Sequence, residues 1–65
     1  MTSTEARIIL GLKESDYLKE DYLEAYRTEC MRNLKGASKP LERAIRKDLE
    51  AVDTLLYFGR VYGKW

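Results

Sequence analysis

Leu41-Glu42-Arg43-Ala44-Ile45-Arg46-Lys47-Asp48-Leu49-Glu50-Ala51-Val52-Asp53-Thr54-Leu55-Leu56 is the longest amphipathic run in the chain. Leu41, Ala44, Ile45, Leu49, Val52, Leu55 and Leu56 recur at three- and four-residue intervals, the period of a helix with one apolar face. Arg43, Arg46, Lys47, Glu50 and Asp53 fall on the other face. Pro40 suits the first turn of such a helix, where its missing N–H costs nothing. The helix is expected to end near Phe58, before Gly59.

Upstream, Leu18, Tyr22, Ala25, Tyr26, Cys30 and Leu34 also recur at helical spacing among mostly charged residues. A second helix is therefore expected from Leu18 to Leu34, with Asp16 as its cap and Gly36 as its stop. Gly36-Ala37-Ser38-Lys39-Pro40 then forms a short turn. A connection this short makes the two helices an antiparallel hairpin. Nearer the start, Thr2 and Glu5 have capping-box spacing, and Gly11 can stop a helix in the left-handed conformation. A short first helix over residues 3–11 is expected to lie across the hairpin. Lys13 to Tyr17 reads as a loop. The fold class is all-α with three helices over residues 1–58, followed by an aromatic and basic tail, Gly59-Arg60-Val61-Tyr62-Gly63-Lys64-Trp65.

Composition narrows the function. Sixty-five residues make one domain, and a chain of this size buries only about 60% of its extended surface. Disulfides are ruled out by a single cysteine, Cys30, and a structural zinc site is not expected with no histidine. Twelve basic against eleven acidic residues give no long-range attraction to nucleic acid or anionic membrane. No apolar run approaches the ~20 residues of a membrane span. The start, Met1-Thr2-Ser3-Thr4-Glu5, has neither an apolar secretory segment nor an Arg-rich character. The lone thiol fits a reducing, intracellular compartment.

Three blocks together resemble a J-domain, the DnaJ module that docks on heat-shock chaperones. Ile8-Ile9-Leu10-Gly11-Leu12 is similar to the opening Tyr-x-Ile-Leu-Gly-Leu of that family. Ala25-Tyr26-Arg27 is similar to the Ala-Tyr-Arg of its second helix, and Ala51-Val52-Asp53-Thr54-Leu55 to the Ala-Tyr-x-x-Leu of its third. The blocks stand in order and at family spacing, and the resemblance covers Ala6 to Leu55. It implies a three-helix J-like fold. The family trigger, His-Pro-Asp, is absent: Leu34-Lys35-Gly36 stands in its place and the chain holds no histidine. The basic face of the family's second helix is also lost, since Lys19, Arg27, Arg32 and Lys35 are offset by Glu20, Asp21, Glu24 and Glu29. Family members without the trigger, such as the J-like subunit of the mitochondrial import motor, pair with an active J-protein and restrain it. The resemblance thus implies a non-catalytic pseudo-J module that regulates a J-protein and chaperone system, with a mitochondrial location. The alternative is a small accessory subunit of a large complex that keeps only the J-like shape. Tyr26-Arg27 also resembles part of the Leu-Tyr-Arg motif of small mitochondrial helical proteins, but Ala25 replaces the leucine and the position lies too far into the chain.

Individual residues carry little chemistry. Tyr22 and Tyr26, one turn apart, are expected on the inner face, and Cys30 is expected in the core as a small hydrophobe. A nucleophilic role for Cys30 lacks a histidine base, and its acidic neighbour Glu29 opposes thiolate formation. Glu20/Asp21 and Asp48/Glu50 read as solvated charges. Enzymatic activity, cofactors and a small-molecule substrate are therefore not expected. Partner contacts are expected at Arg27, Arg32, Leu34, Lys35, Gly36, Tyr57, Phe58, Tyr62 and Trp65, because rigid aromatics supply large contact areas at low entropic cost. Stacking of nucleic-acid bases on the tail aromatics, flanked by Arg60 and Lys64, is disfavoured, since two cations give little phosphate affinity.

Overall fold

A computed structural model describes residues 1–13 and 18–63. Among these residues the chain is all-helical, with α1 (Ser3–Ile9), α2 (Glu20–Leu34) and α3 (Lys39–Tyr62) in order and no strands. The 24 residues of α3 make a rod of about 36 Å at 1.5 Å per residue, which matches the 36 Å long axis of the molecule.

Each helix end has a local cause. Thr2 caps α1, its Oγ1 accepting from the Glu5 N–H at 3.1 Å. The expected reciprocal bond is altered: the Glu5 carboxylate accepts from the Thr2 hydroxyl, at 3.2 Å, rather than from a backbone N–H. At the other end, Leu12 N–H donates to Arg7 C=O and Gly11 N–H to Ile8 C=O, at 2.8 and 3.1 Å. Those two bonds, with Gly11 at φ +71°, make a Schellman cap. Helix α1 therefore ends at Ile9, two residues before the expected limit, because the closing glycine lies beyond the helix.

Helix α2 begins at Glu20 rather than Leu18, and Lys19 holds the cap position without a side-chain bond. The expected cap, Asp16, lies outside the described residues. The buried face also differs from expectation. Leu23 is fully buried, whereas Tyr22 is 52% exposed and Ala25 faces solvent. A strict four-residue recurrence drifts around a helix by about 40° per step. Tyr22 is carried off the face that Leu23, Tyr26, Cys30 and Leu34 share.

After α2, Ala37 N–H donates to Leu34 C=O across Lys35 (φ −68°, ψ 124°) and Gly36 (φ +74°), the geometry of a type II turn. Helix α3 then continues past Phe58. Gly59 is buried inside it, and the stop falls four residues later at Gly63, φ +62°, whose N–H donates to Gly59 C=O. A mid-helix glycine costs about 0.5–1 kcal/mol relative to alanine, which the buried Leu55 and Leu56 of the preceding turn outweigh. Val61 and Tyr62 of the expected tail are thus helical. At its start, Leu41 and Ala44 are exposed rather than buried, because α3 overhangs its partners there.

The core joins Ala6, Leu18, Leu23, Ala51, Val52, Leu55 and Leu56, with Ile9, Leu10, Leu12 and Tyr26 packed against it. Helices α2 and α3 run antiparallel: Glu20 and Glu24 meet Arg60, and Arg27 meets Asp53. Among the helices, α1 lies against α3 and not across both arms of the hairpin.

Candidate functional site

Apart from Arg27 and Arg32 of α2, the described contact residues expected from sequence divide between the two ends of α3. Leu34 is half-buried in the last turn of α2, and Lys35 and Gly36 are exposed in the turn beside the start of α3. Tyr57, Phe58 and Tyr62 occupy the far end, roughly 28 Å away along the helix axis. Trp65 and Lys64 lie outside the described residues. Among the described residues these two groups do not touch.

At the far end the aromatics form an ordered set. Phe58 stacks on Tyr62, with ring centroids 5.3 Å apart and 21° between planes. Tyr57 meets Phe58 edge-on at 5.8 Å and 90°. Phe58 is half-buried, whereas Tyr57 and Tyr62 are each 60% exposed and Val61 is 55% exposed. Helical spacing places Val61 one turn beyond Tyr57, so the four side chains make one contiguous patch. Val61 was not among the residues expected from sequence. Its signal was present in the four-residue step from Tyr57, once the helix is known to continue through Gly59. A shallow groove borders the patch, between Met1 and the α3 residues Arg46, Glu50, Thr54, Tyr57 and Phe58.

The expected basic contacts on α2 are largely engaged within the protein. Arg27 Nε donates to Asp53 Oδ1 at 2.9 Å, tying α2 to α3. Arg32 pairs with Glu29 at 3.3 Å within α2. Arg60 bridges Glu20 and Glu24 at 2.8 and 2.7 Å, and its hydrogen bond to Glu20 is the main reason its pKa is raised. Solvent screens pairs this exposed, so their effect is mainly to fix the register of the hairpin and to occupy the cations.

Near the other end, Tyr26, Glu29, Cys30, Asn33, Ile45 and Asp48 line a small hollow. Cys30 is buried, as its reading as a small hydrophobe expects. Burial pushes its thiol pKa up, and Asp48 and Glu29 add to the shift. Burial likewise raises the Tyr26 phenol, with smaller contributions from Asp48, Cys30 and Tyr22. A thiol so placed stays protonated at neutral pH and is a poor nucleophile. Among the described residues no group of three or more histidine, cysteine, aspartate or glutamate side chains is placed to hold a metal ion. No helix among them is long and apolar enough to cross a membrane. No family model matches the chain, and neither the curated proteins nor the solved structures contain a significant match to it.

Proposed function

We propose that the chain is a non-catalytic protein-binding module that docks through the C-terminal end of α3, as a small accessory subunit of a larger assembly. The observation that carries this is the exposed patch of Tyr57, Phe58, Val61 and Tyr62. Aromatic side chains bring large buried areas to an interface, and mutual stacking fixes their rotamers before binding. Contacts through α2 are less supported, because its Arg27 is bound to Asp53 of α3 and its Glu20 and Glu24 to Arg60 of α3.

A pseudo-J regulator is the second possibility, favoured by one observation. The three J-like blocks meet in a single core: Ile9, Leu10, Leu12 and Tyr26 pack against the cluster that contains Ala51, Val52 and Leu55.

Capture of the tagged full chain from its native source in mild detergent, followed by sizing, tests both. An accessory subunit enters a large complex, and the Tyr57→Ser/Tyr62→Ser double variant leaves it while keeping its helical circular dichroism. Recovery instead of a one-to-one complex with a J-protein, with altered stimulation of chaperone ATPase activity, supports the regulator. Association unaffected by the double variant sinks the aromatic patch as the docking surface.

A further inference from the structure

The exposed face of α3 is continuous from end to end. Lys39, Arg43, Lys47, Glu50, Thr54, Tyr57 and Val61 follow at steps of four, four, three, four, three and four residues, the recurrence of a single helical stripe. All are exposed except the half-buried Thr54. The stripe is about 33 Å long, and its two halves differ in chemistry. Among the described residues Lys39, Arg43 and Lys47 form no ion pair, unlike Arg46, which is bound to Glu42 at 2.9 Å. They lie in a basic stretch: between Glu29 and Asp48 stand six cations and one anion, Glu42. The other half is the aromatic patch, and the groove beside Met1 runs along the junction.

We infer that this stripe is one binding surface for a linear peptide segment of a partner protein, with apolar or aromatic anchors at one end and acidic residues at the other. The inference rests on the protein-docking role proposed above and adds the chemistry and polarity of the partner. Its anchors sit over Tyr57, Val61 and Tyr62, and its acidic end over Lys39, Arg43 and Lys47. Charge complementarity fixes the direction of the segment, since the reverse orientation would bring its carboxylates to the end where Arg27 and Arg60 are already bound to Asp53, Glu20 and Glu24. Nucleic acid fits less well. Its phosphates would have to continue past Glu50 onto the aromatic end, where Arg27 and Arg60 are already paired with carboxylates. A membrane surface fits less well too, because interfacial helices carry cations alongside their apolar residues, whereas here the two are segregated along the axis.

Selection from a displayed library of random 20-residue peptides on the immobilised full chain tests this. The fluorescein-labelled synthetic form of the most enriched peptide is then measured by fluorescence anisotropy. The expected peptides carry an apolar cluster and an acidic cluster in one fixed order. The Arg43→Glu/Lys47→Glu variant should bind at least tenfold more weakly and recover binding to a peptide whose acids are replaced by lysine. Tyr57→Ser/Val61→Ser should abolish binding while helical content is kept. Enriched peptides with aromatic anchors alone, unaffected by Arg43→Glu/Lys47→Glu, overturn the two-part surface and leave aromatic docking standing. Binding that survives Tyr57→Ser/Val61→Ser overturns both. Failure to enrich any peptide, or displacement of the peptide by a dT20 oligonucleotide or by phosphatidylserine vesicles, overturns the inference.

Discussion

Leu23 has no accessible surface and sits where α2 meets the core cluster of α3. Replacing it by alanine removes buried methyl groups and leaves a cavity, at a cost of about 2–5 kcal/mol. Small domains have little more than that in reserve. Leu23→Ala should therefore lose most of its helical signal at 37 °C, whereas Tyr22→Ala, on the exposed neighbouring position, should melt close to the parent protein. A thermal melt by circular dichroism compares them. Cys30 and Tyr26 make a second residue-scale prediction, with its sign set by burial. Both have folded-state pKa values above their ordinary ones, so their contribution to stability is complete below the unfolded pKa values. It declines as the unfolded chain ionises and the folded chain does not, and it is lost by the folded pKa values. Stability should fall through the alkaline range, and Tyr26→Phe/Cys30→Ala should flatten that limb in urea titrations at successive pH values. Iodoacetamide should label Cys30 slowly at neutral pH and quickly once urea unfolds the chain. Sequence alone supplied the Cys30 environment but selected Tyr22 over Leu23. Both fit an apolar recurrence, and only the packed helix shows which of two adjacent positions points inward.

Helix number, order and the antiparallel hairpin were legible in sequence, because apolar recurrence, Pro40 and a short connection each left a local mark. The end of α3 was not. Gly59 and Gly63 carry the same stop signal, and the choice between them depends on how favourably the preceding turn is buried, which is a tertiary quantity. The consequence reaches the candidate site, since a helix ending at Phe58 would have left Val61 and Tyr62 without a fixed relation to Tyr57. Gly36 shows the opposite case, a turn whose residue requirement can be read directly. Its φ of +74° is costly for residues with a Cβ, and none of the described residues lies within 4 Å of where that Cβ would stand. The penalty is one of backbone conformation alone. Gly36→Ala should destabilise by about 1–2 kcal/mol, and Gly36→Asn by less, because asparagine tolerates the left-handed region. Chemical denaturation of the two variants separates this from any steric effect, which would rank the larger asparagine as worse.

At the scale of the whole molecule, α3 is the spine. Core residues come from all parts of the chain, yet the two helix pairs that pack both include α3. The candidate site was partly visible in sequence: Tyr57, Phe58 and Tyr62 were singled out by residue type. Their separation from Leu34, Lys35 and Gly36 was not visible, because it follows from the length of one helix and the return of another along it. Engagement of Arg27 by Asp53 was equally hidden, since the two residues are 26 positions apart and only the hairpin register brings them together.

That arrangement, in which α3 is the one described helix that α1 packs against, also sets the order in which the protein opens. Seven residues held against one neighbour can detach while the hairpin and its cross-helix pairs stay in place, so α1 is a separate opening unit. In deuterium, the amides of Ala6 to Leu10 should exchange at rates that vary little with low concentrations of urea. Those of Leu23, Cys30, Val52 and Leu55 should accelerate steeply and together as global unfolding becomes their only route to solvent.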